Sequence, residues 1–488
     1  MSSATSPVLV GLDVGTSAVR ASAFDNQGHL LARGEQRLTT NYADARMEQD
    51  ARTWSTGAIL ALAEMASHLG PAAARVVAIG LTGQCPSFTL LDAAGEPLTP
   101  GILYGDNRAT EQARRLAATL GSDEVRARTG QWPGHFYIAP KLMWLSGRGQ
   151  AARPTLAQPR DMVGLGLTGR LATDDTHAAC TLLYDLPERA WQHSWAAALG
   201  LEWVGLPPVL RPWEALGPLT RHAAEATGLQ TGLPVIVGGA DSLCAALGCG
   251  VIEPGLLSDA SGSSTCLDAP LRAPINAPGL SIYPHVLPGL WCADVGMNAT
   301  GTVLRWAAGV LCDGDLAELE RLAAAGPPGS DGLLFSPYLL DGERTDDAAT
   351  GAWSGLSLRH GRPHLARAVY EGVTFGLLAA QSPLRAAGIT SIQLRTSGGG
   401  GHSRLWSQMK ADLFGLLVAV SAQPDAAGLG AALLAGVASG LYPTVAEAVR
   451  FHAHNAETFE PRPSLSALYQ AAYQRWRDQY VDELSSLR

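Results

Sequence analysis

Lysine is almost missing from this chain of 488 residues: Lys141 and Lys410 are its only two. Neither follows a glycine, which excludes the Gly-Lys-Ser/Thr phosphate loop, so any nucleotide must be held another way. The seven cysteines are scattered, with no Cys-x-x-Cys pair. That spacing argues against a zinc site, and the odd count fits reduced thiols in a cytoplasmic setting. Charge is sparse at 16%, and 35 basic against 44 acidic residues give a net −9. Such a balance argues against nucleic acid as a partner. No basic region precedes an apolar stretch at the N-terminus, so no signal peptide is expected. The most apolar late stretch, residues 426–441, is Ala/Gly-rich. It falls short of the roughly 20 residues a membrane span needs, and reads as a buried core helix.

Hydrophobic residues make up 47% of the chain, so a large core is feasible. At roughly 100–200 residues per domain, two or three domains are expected. The chain opens with Val8-Leu9-Val10-Gly11-Leu12-Asp13-Val14-Gly15-Thr16-Ser17-Ala18-Val19-Arg20. An apolar strand ending on Asp13 can hold a carboxylate rigidly for a magnesium shell. The Gly15-Thr16-Ser17 turn can aim N–H groups and hydroxyls at a phosphate. An ordinary hairpin with a polar turn would read the same way. The theme recurs where Gly255-Leu256-Leu257-Ser258-Asp259-Ala260 is followed by Ser261-Gly262-Ser263-Ser264-Thr265 and Cys266-Leu267-Asp268. Two such hairpins suggest a duplicated domain facing a shared cleft. A third turn, Gly398-Gly399-Gly400-Gly401, follows the apolar residues 392–394 and opens a helical run. It lacks the dinucleotide spacing, since Ser403 stands where a glycine is wanted. It is either a plain strand-to-helix turn or a backbone that approaches a flat ring or ribose too closely for side chains. Residues 234–239 read as a buried strand that runs into Asp241 and a helical stretch.

Together these segments resemble the FGGY family of carbohydrate kinases, within the actin-like (ribonuclease H-like) ATPase group, from about residue 8 to about residue 445. Asp13-x-Gly15-Thr16-x-x-x-Arg20 resembles the family's first phosphate motif and Gly262-Ser263-Ser264-Thr265 its second. Gly398–Gly401 with Ser403, Trp406 and Gln408 resembles the adenosine motif. Gly351-Ala352-Trp353-Ser354-Gly355-Leu356, with His364-Leu365-Ala366-Arg367-Ala368-Val369-Tyr370-Glu371-Gly372, fits the C-terminal signature. Tyr338-Leu339 and Gly342-Glu343-Arg344-Thr345 are similar as well. Ala139-Pro140-Lys141-Leu142-Met143-Trp144-Leu145 fits the second half of the N-terminal signature. Within the family the chain is most similar to the xylulokinases. Tyr104-Gly105-Asp106-Asn107-Arg108 stands where they carry Trp-x-Asp-x-Arg, but Gln84-Cys85-Pro86-Ser87 replaces their Gln-Met-His-Gly and so loses a histidine that helps hold the sugar.

The resemblance implies an α/β fold of two actin-like domains with a cleft between them. Residues 1–245 would bind sugar and phosphate, residues 246–445 adenosine and phosphate, and residues 446–488 would form a helical tail. The tail would pack on the core and could serve a homodimer contact. The implied reaction moves the γ-phosphoryl group of ATP to a sugar hydroxyl, most simply on a ketopentose such as D-xylulose. Another ketose, a polyol or an aldonate is the alternative acceptor, and a non-kinase actin-like ATPase the alternative class. Asp241 would be the general base, although an aspartate before a helix also reads as an N-cap. Asp13 would hold Mg2+ through water. Thr16, Ser17 and Arg20 would contact or support phosphate, Arg20 alternatively serving as an ion-pair partner. Gly262, Ser263, Ser264 and Thr265 would supply the opposing donors. Gln84, Cys85 and Asp106 fall on the sugar side, where plain surface turns are the other reading. Trp132 and His135, and the thiols generally, read as packing residues.

Overall fold

The apolar run near the chain's start forms strand β1 (Val8–Val14), buried at every residue. The computed structural model describes residues 6–146, 153–340, 343, 349–452 and 455–482. A tight turn returns the chain as β2 (Ala18–Phe24), antiparallel to β1 with Asp13 opposite Arg20. β3 (Leu30–Arg37) adds a third antiparallel strand. Helix α1 (Arg52–Leu69) crosses back, and β4 (Val76–Gly83) then pairs parallel with β1. β5 (Ala215–Pro218) and β6 (Pro234–Ala240) complete a sheet of order β5-β6-β4-β1-β2-β3. β6 runs directly into helix α2 (Asp241–Gly248).

Strand alternation decides which element covers each face of this sheet. Val8, Val10, Leu12 and Val14 pack with Trp54, Ala58 and Leu62 of α1. Leu9, one position out of step, packs on the other face with late-chain residues such as Leu429 and Leu433.

The second sheet repeats the first. Its strands are β7 (Leu256–Ser261), β8 (Thr265–Leu271), β9 (Ser281–Pro284), β10 (Trp291–Met297), β11 (Gln393–Ser397), β12 (Leu417–Ser421) and β13 (Asn455–Phe459). They lie in the order β9-β10-β8-β7-β11-β12-β13. The run β3-β2-β1-β4-β6 recurs as β10-β8-β7-β11-β12, with antiparallel and parallel pairings in the same places. The duplication expected from the two hydroxyl-rich hairpins is therefore present as sheet topology. Helices α3 (Gly301–Cys312), α4 (Arg362–Ala380) and α5 (Arg404–Phe414) pack around this second sheet.

Two late segments depart from a simple division at residues 245 and 445. Helix α6 (Ala426–Ala438) covers the first sheet rather than the second. Its backbone meets bare glycines there: a Cβ on Gly11 would sit 1.8 Å from the Gly428 carbonyl oxygen, and one on Gly80 would sit 1.9 Å from that of Ala431. The stretch after residue 445 is not purely helical, because β13 extends the second sheet antiparallel to β12. Helix α7 (Pro463–Arg477) buries Tyr469, Ala472 and Trp476 in the second core. The helical part of this stretch thus packs on the core. Gly342, Arg344 and Thr345 lie outside the described residues.

The glycine contacts give a paired test. Gly80→Ala forces backbone apart and is expected to cost about 1–3 kcal/mol. Gly309→Ala at an exposed position of α3, where a Cβ meets nothing within 4 Å, is expected to gain about 0.5–1 kcal/mol. Urea unfolding midpoints read both; equal shifts would contradict the backbone-contact account.

Candidate active site

The turns that end β1 and β7 face each other. Ser17 Oγ and Ser263 Oγ are 3.3 Å apart although 246 residues separate them in sequence. Around this meeting point lies a cavity of about 720 Å3, bounded by the β1–β2 turn, the start of α2, the β7–β8 turn, the glycine turn after β11 and the start of α6. Gly15, Thr16, Ser17, Arg20 and Asp13 line one side, and Gly262, Ser263 and Ser264 the opposite side.

Asp13 sits at the tip of β1 with its Oδ1 buried and without a hydrogen-bond partner. Burial, and next to it the charge of Asp425, push its carboxyl pKa well above the usual range, while Arg20 pulls it back. Arg20 Nη1 lies 3.7 Å from Asp13 Oδ2, and its Nε donates to Glu35 at 3.2 Å. Arg20 is therefore both an ion-pair partner and a cavity residue. Asp425, at the head of α6, accepts from Ser22 Oγ at 2.6 Å and from the Gly428 amide at 2.9 Å. An orphaned buried carboxylate oxygen facing a phosphate-sized space, with a second carboxylate nearby, suits a hard divalent cation.

Several predicted site positions lie beneath the surface. Thr265 is the first residue of β8; its side chain is buried, with Oγ1 2.7 Å from Thr300 Oγ1, and it does not line the cavity. Gly401 is buried against Thr396, also off the cavity. Gln84 is buried too: Thr16 Oγ1 and Ser87 Oγ donate to its Oε1, so it supports the first turn from behind. Gly398, Gly399 and Gly400 do line the cavity. The bareness of two of them has a local cause. A Cβ on Gly398, whose φ is +73°, would lie 2.6 Å from the Ser261 carbonyl oxygen, and one on Gly400 would lie 2.4 Å from the Trp406 ring. Only at Gly399 is the space open.

Asp241 is half-buried and is the first residue of α2, one past the N-cap Ala240. Its Oδ1 accepts from the Ser242 amide at 2.8 Å. Burial raises its pKa to about 6, against that hydrogen bond and the nearby His177, with Asp294 adding to the rise. A carboxylate with that pKa, open to the cavity, is suited to accept a proton near neutral pH.

The residues expected on the sugar side are more tightly held. Cys85 is half-buried, with Cys180 Sγ 3.6 Å from its own. The Cys180 contact, and after it burial, hold its thiol well above the usual range, and the charge of Asp241 adds to this. Asp106 is fully buried, and its oxygens accept from the Met47 amide and from the Arg108 amide and guanidinium. Four donors fill its roughly four lone-pair sites, so it orders the loop instead of binding a ligand directly.

Two residues that sequence reasoning passed over are better placed. Tyr104 is buried, and burial raises its hydroxyl pKa, with Thr16 and Ser264 near enough to lower it and the charge of Asp241 adding to the rise. Lys141 is fully buried and donates to the carbonyls of Leu103, Tyr104 and Phe136 at 2.8, 3.1 and 3.0 Å. Burial lowers its pKa to about 7. The signal for Tyr104 was its place in the Tyr104–Arg108 segment; for Lys141 it was the near absence of other lysines.

No described helix is long and apolar enough to cross a membrane. Residues 8–248 match the N-terminal domain model of the FGGY family of carbohydrate kinases, and residues 260–439 match its C-terminal domain model. A xylulose kinase of Lactococcus lactis is 29% identical over 97% of this chain and 96% of its own length. An autoinducer-2 kinase of Salmonella choleraesuis is 31% identical over 97% and 94%. A solved structure titled as a xyloylose kinase from Brucella ovis superposes with a TM-score of 0.85 at 29% identity, covering 99% of this chain and 100% of that one. Two family models spanning most of the chain, on a duplicated actin-like fold whose hydroxyl-rich turns face one cavity, show that this protein belongs to the FGGY family of carbohydrate kinases and is an ATP-dependent sugar kinase.

Proposed function

We propose that the chain transfers the γ-phosphoryl group of ATP to a hydroxyl of a ketopentose such as D-xylulose, with Asp241 as general base. The observation that carries this reading is the half-buried Asp241 carboxyl, with its pKa near 6, on the cavity shared by both phosphate turns. As the acceptor oxygen bonds to phosphorus, its proton passes to Asp241 and the bond from phosphorus to the β–γ bridging oxygen breaks, leaving ADP. Ser17, Ser263 and the amides of the two turns orient the phosphates, and Arg20 offsets their charge. Bound Mg2+ would neutralise phosphate charge, and Asp13, with its unpartnered Oδ1, is the residue that would hold it. Trp406 and the turn at Gly398–Gly400 form the wall for the adenosine. The seven free thiols support a reducing, cytoplasmic setting.

A second acceptor class has its own support. The acceptor loop presents Cys85 and Pro86 where a xylulokinase histidine is expected, and one relative at 31% identity is named an autoinducer-2 kinase. A site that lacks a hydrogen-bond donor discriminates against hydroxyls that need it. Another ketose, a polyol or an aldonate is therefore the alternative.

ADP release with Mg-ATP across ketoses, polyols and aldonates is expected to peak sharply on D-xylulose; a peak on another compound would make the Cys85 loop the specificity switch. Asp241→Asn is expected to lose at least about a hundredfold in kcat, and near-normal turnover would remove Asp241 from the mechanism. For the wild type, kcat should rise with pH through about 6 and then level, as Asp241 ionises. The folded-state pKa lies above the ordinary value of 3.8, so this group's contribution to stability is lost as pH rises through about 6. The ligand-free Asp241→Asn protein should accordingly melt higher than wild type at pH 8, and a lower melting temperature would contradict the raised pKa.

A further inference from the structure

Lys410 is one of only two lysines, and it is completely buried. It projects from α5 to the end of β7, where its Nζ bonds Asp259 and donates to Ser261 Oγ at 2.9 Å. Ser261 Oγ in turn donates to Asp259 Oδ1 and lies 3.3 Å from Thr265 Oγ1. Ser261 and Thr265 are the two ends of the second phosphate turn, opposite each other in register. The same ammonium sits 3.9 Å from the centre of the Trp406 ring, and Trp406 lines the cavity. Gly398 and Gly400 press on Ser261 from the other side. One buried cation thus joins the phosphate turn to the helix behind the glycine turn.

Stability gives a poor reason for such a pair. Burial lowers the Lys410 pKa, against the pull of Asp259, and a buried ion pair usually stabilises no better than apolar side chains of similar volume. Its placement gives a better one. Oxygens and amides that must meet a polyphosphate need to be held within a few tenths of an ångström by locked neighbours. We propose that Lys410 is a positioning residue for the nucleotide: through Ser261 it fixes the second phosphate turn against the helix that carries Trp406. The proposal rests on the reading that nucleotide occupies the cavity between these two turns.

Calorimetric titration with Mg-ADP, without acceptor, tests it on three proteins. Ser261→Ala keeps the Lys410–Asp259 pair and removes the hydroxyl through which Lys410, Asp259 and Thr265 are joined to the turn. Lys410→Met/Asp259→Leu removes the pair without leaving a lone buried charge. Both are expected to bind Mg-ADP about fivefold or more weakly than wild type, to melt close to wild type, and to raise KM for ATP while KM for the acceptor stays unchanged. Affinity equal to wild type in Ser261→Ala would overturn the proposal, and so would equal losses in ATP and acceptor KM accompanied by a lowered melting temperature. If the double variant does not fold, Ser261→Ala decides alone. Wild-type protein that bound no Mg-ADP would overturn the nucleotide reading itself, a result distinct from a defect confined to the variants.

Discussion

The contact between the α6 backbone and the bare glycines of β1 and β4 is the constraint on which the cavity depends. Helices normally keep off sheets by the thickness of two side-chain layers. Gly11, Gly80 and Gly428 remove those layers, and carbonyl oxygens of the helix rest where side chains would otherwise be. The approach brings the head of α6, with Asp425, beside the tip of β1, with Asp13, and lets Asp425 take the Ser22 hydroxyl. It also fastens a late segment of the chain to an early sheet, so the two halves are linked by packing as well as by the polypeptide. Ala and Gly dominate α6 because larger residues would hold it away.

Electrostatics follow from that geometry. Asp13, Asp241 and Asp425 line one cavity together with Arg20 and Arg33. The raised pKa values of Asp13 and Asp241 express the cost of holding carboxylates in a partly dry space. The chain's scarce lysines are spent on internal clamps rather than on the cavity wall: Lys141 ties the Tyr104 loop to the Phe136 loop, and Lys410 braces the opposite turn. The cations on the cavity wall are arginines, Arg20, Arg33 and Arg305 among them, in keeping with a group that stays charged whatever its surroundings.

Much of this was legible in the sequence. Both hairpins that meet at the cavity announced themselves as apolar strands broken by small hydroxyl residues, and Asp241, which lines it, by its place after an apolar strand and a Gly-Gly pair. The C-terminal signature was also readable, yet its content is largely scaffold: Arg367 pairs with Glu371 at 3.0 Å and reaches the Tyr469 hydroxyl, while Glu371 takes the Gly329 amide and Ser330 hydroxyl. What stayed hidden was direction. Thr265 and Ser264 are neighbours in one motif, but successive residues at a strand end point to opposite sides. Asp106 has the residue type of a ligand-binding group, but Arg108 two positions on consumes its acceptors. Tyr104 was read only as the start of a family segment, and its nearness to Thr16 and Ser264, residues far apart in sequence, is a product of the fold. The strand at Asn455–Phe459 was missed because the edge of the second sheet, not local periodicity, makes it a strand.

The attachment of α6 to the first sheet also governs how the chain can be made. Leu9 and its neighbours on that face are synthesised at the outset, while Leu429 and Leu433, which cover them, come near the end. At about 5–20 residues per second of translation, the leading half of the nascent polypeptide carries an uncapped apolar face for tens of seconds. Domain-by-domain folding on the ribosome is thereby denied to the first sheet, which must wait, shielded or at risk of association, for a segment more than four hundred residues downstream.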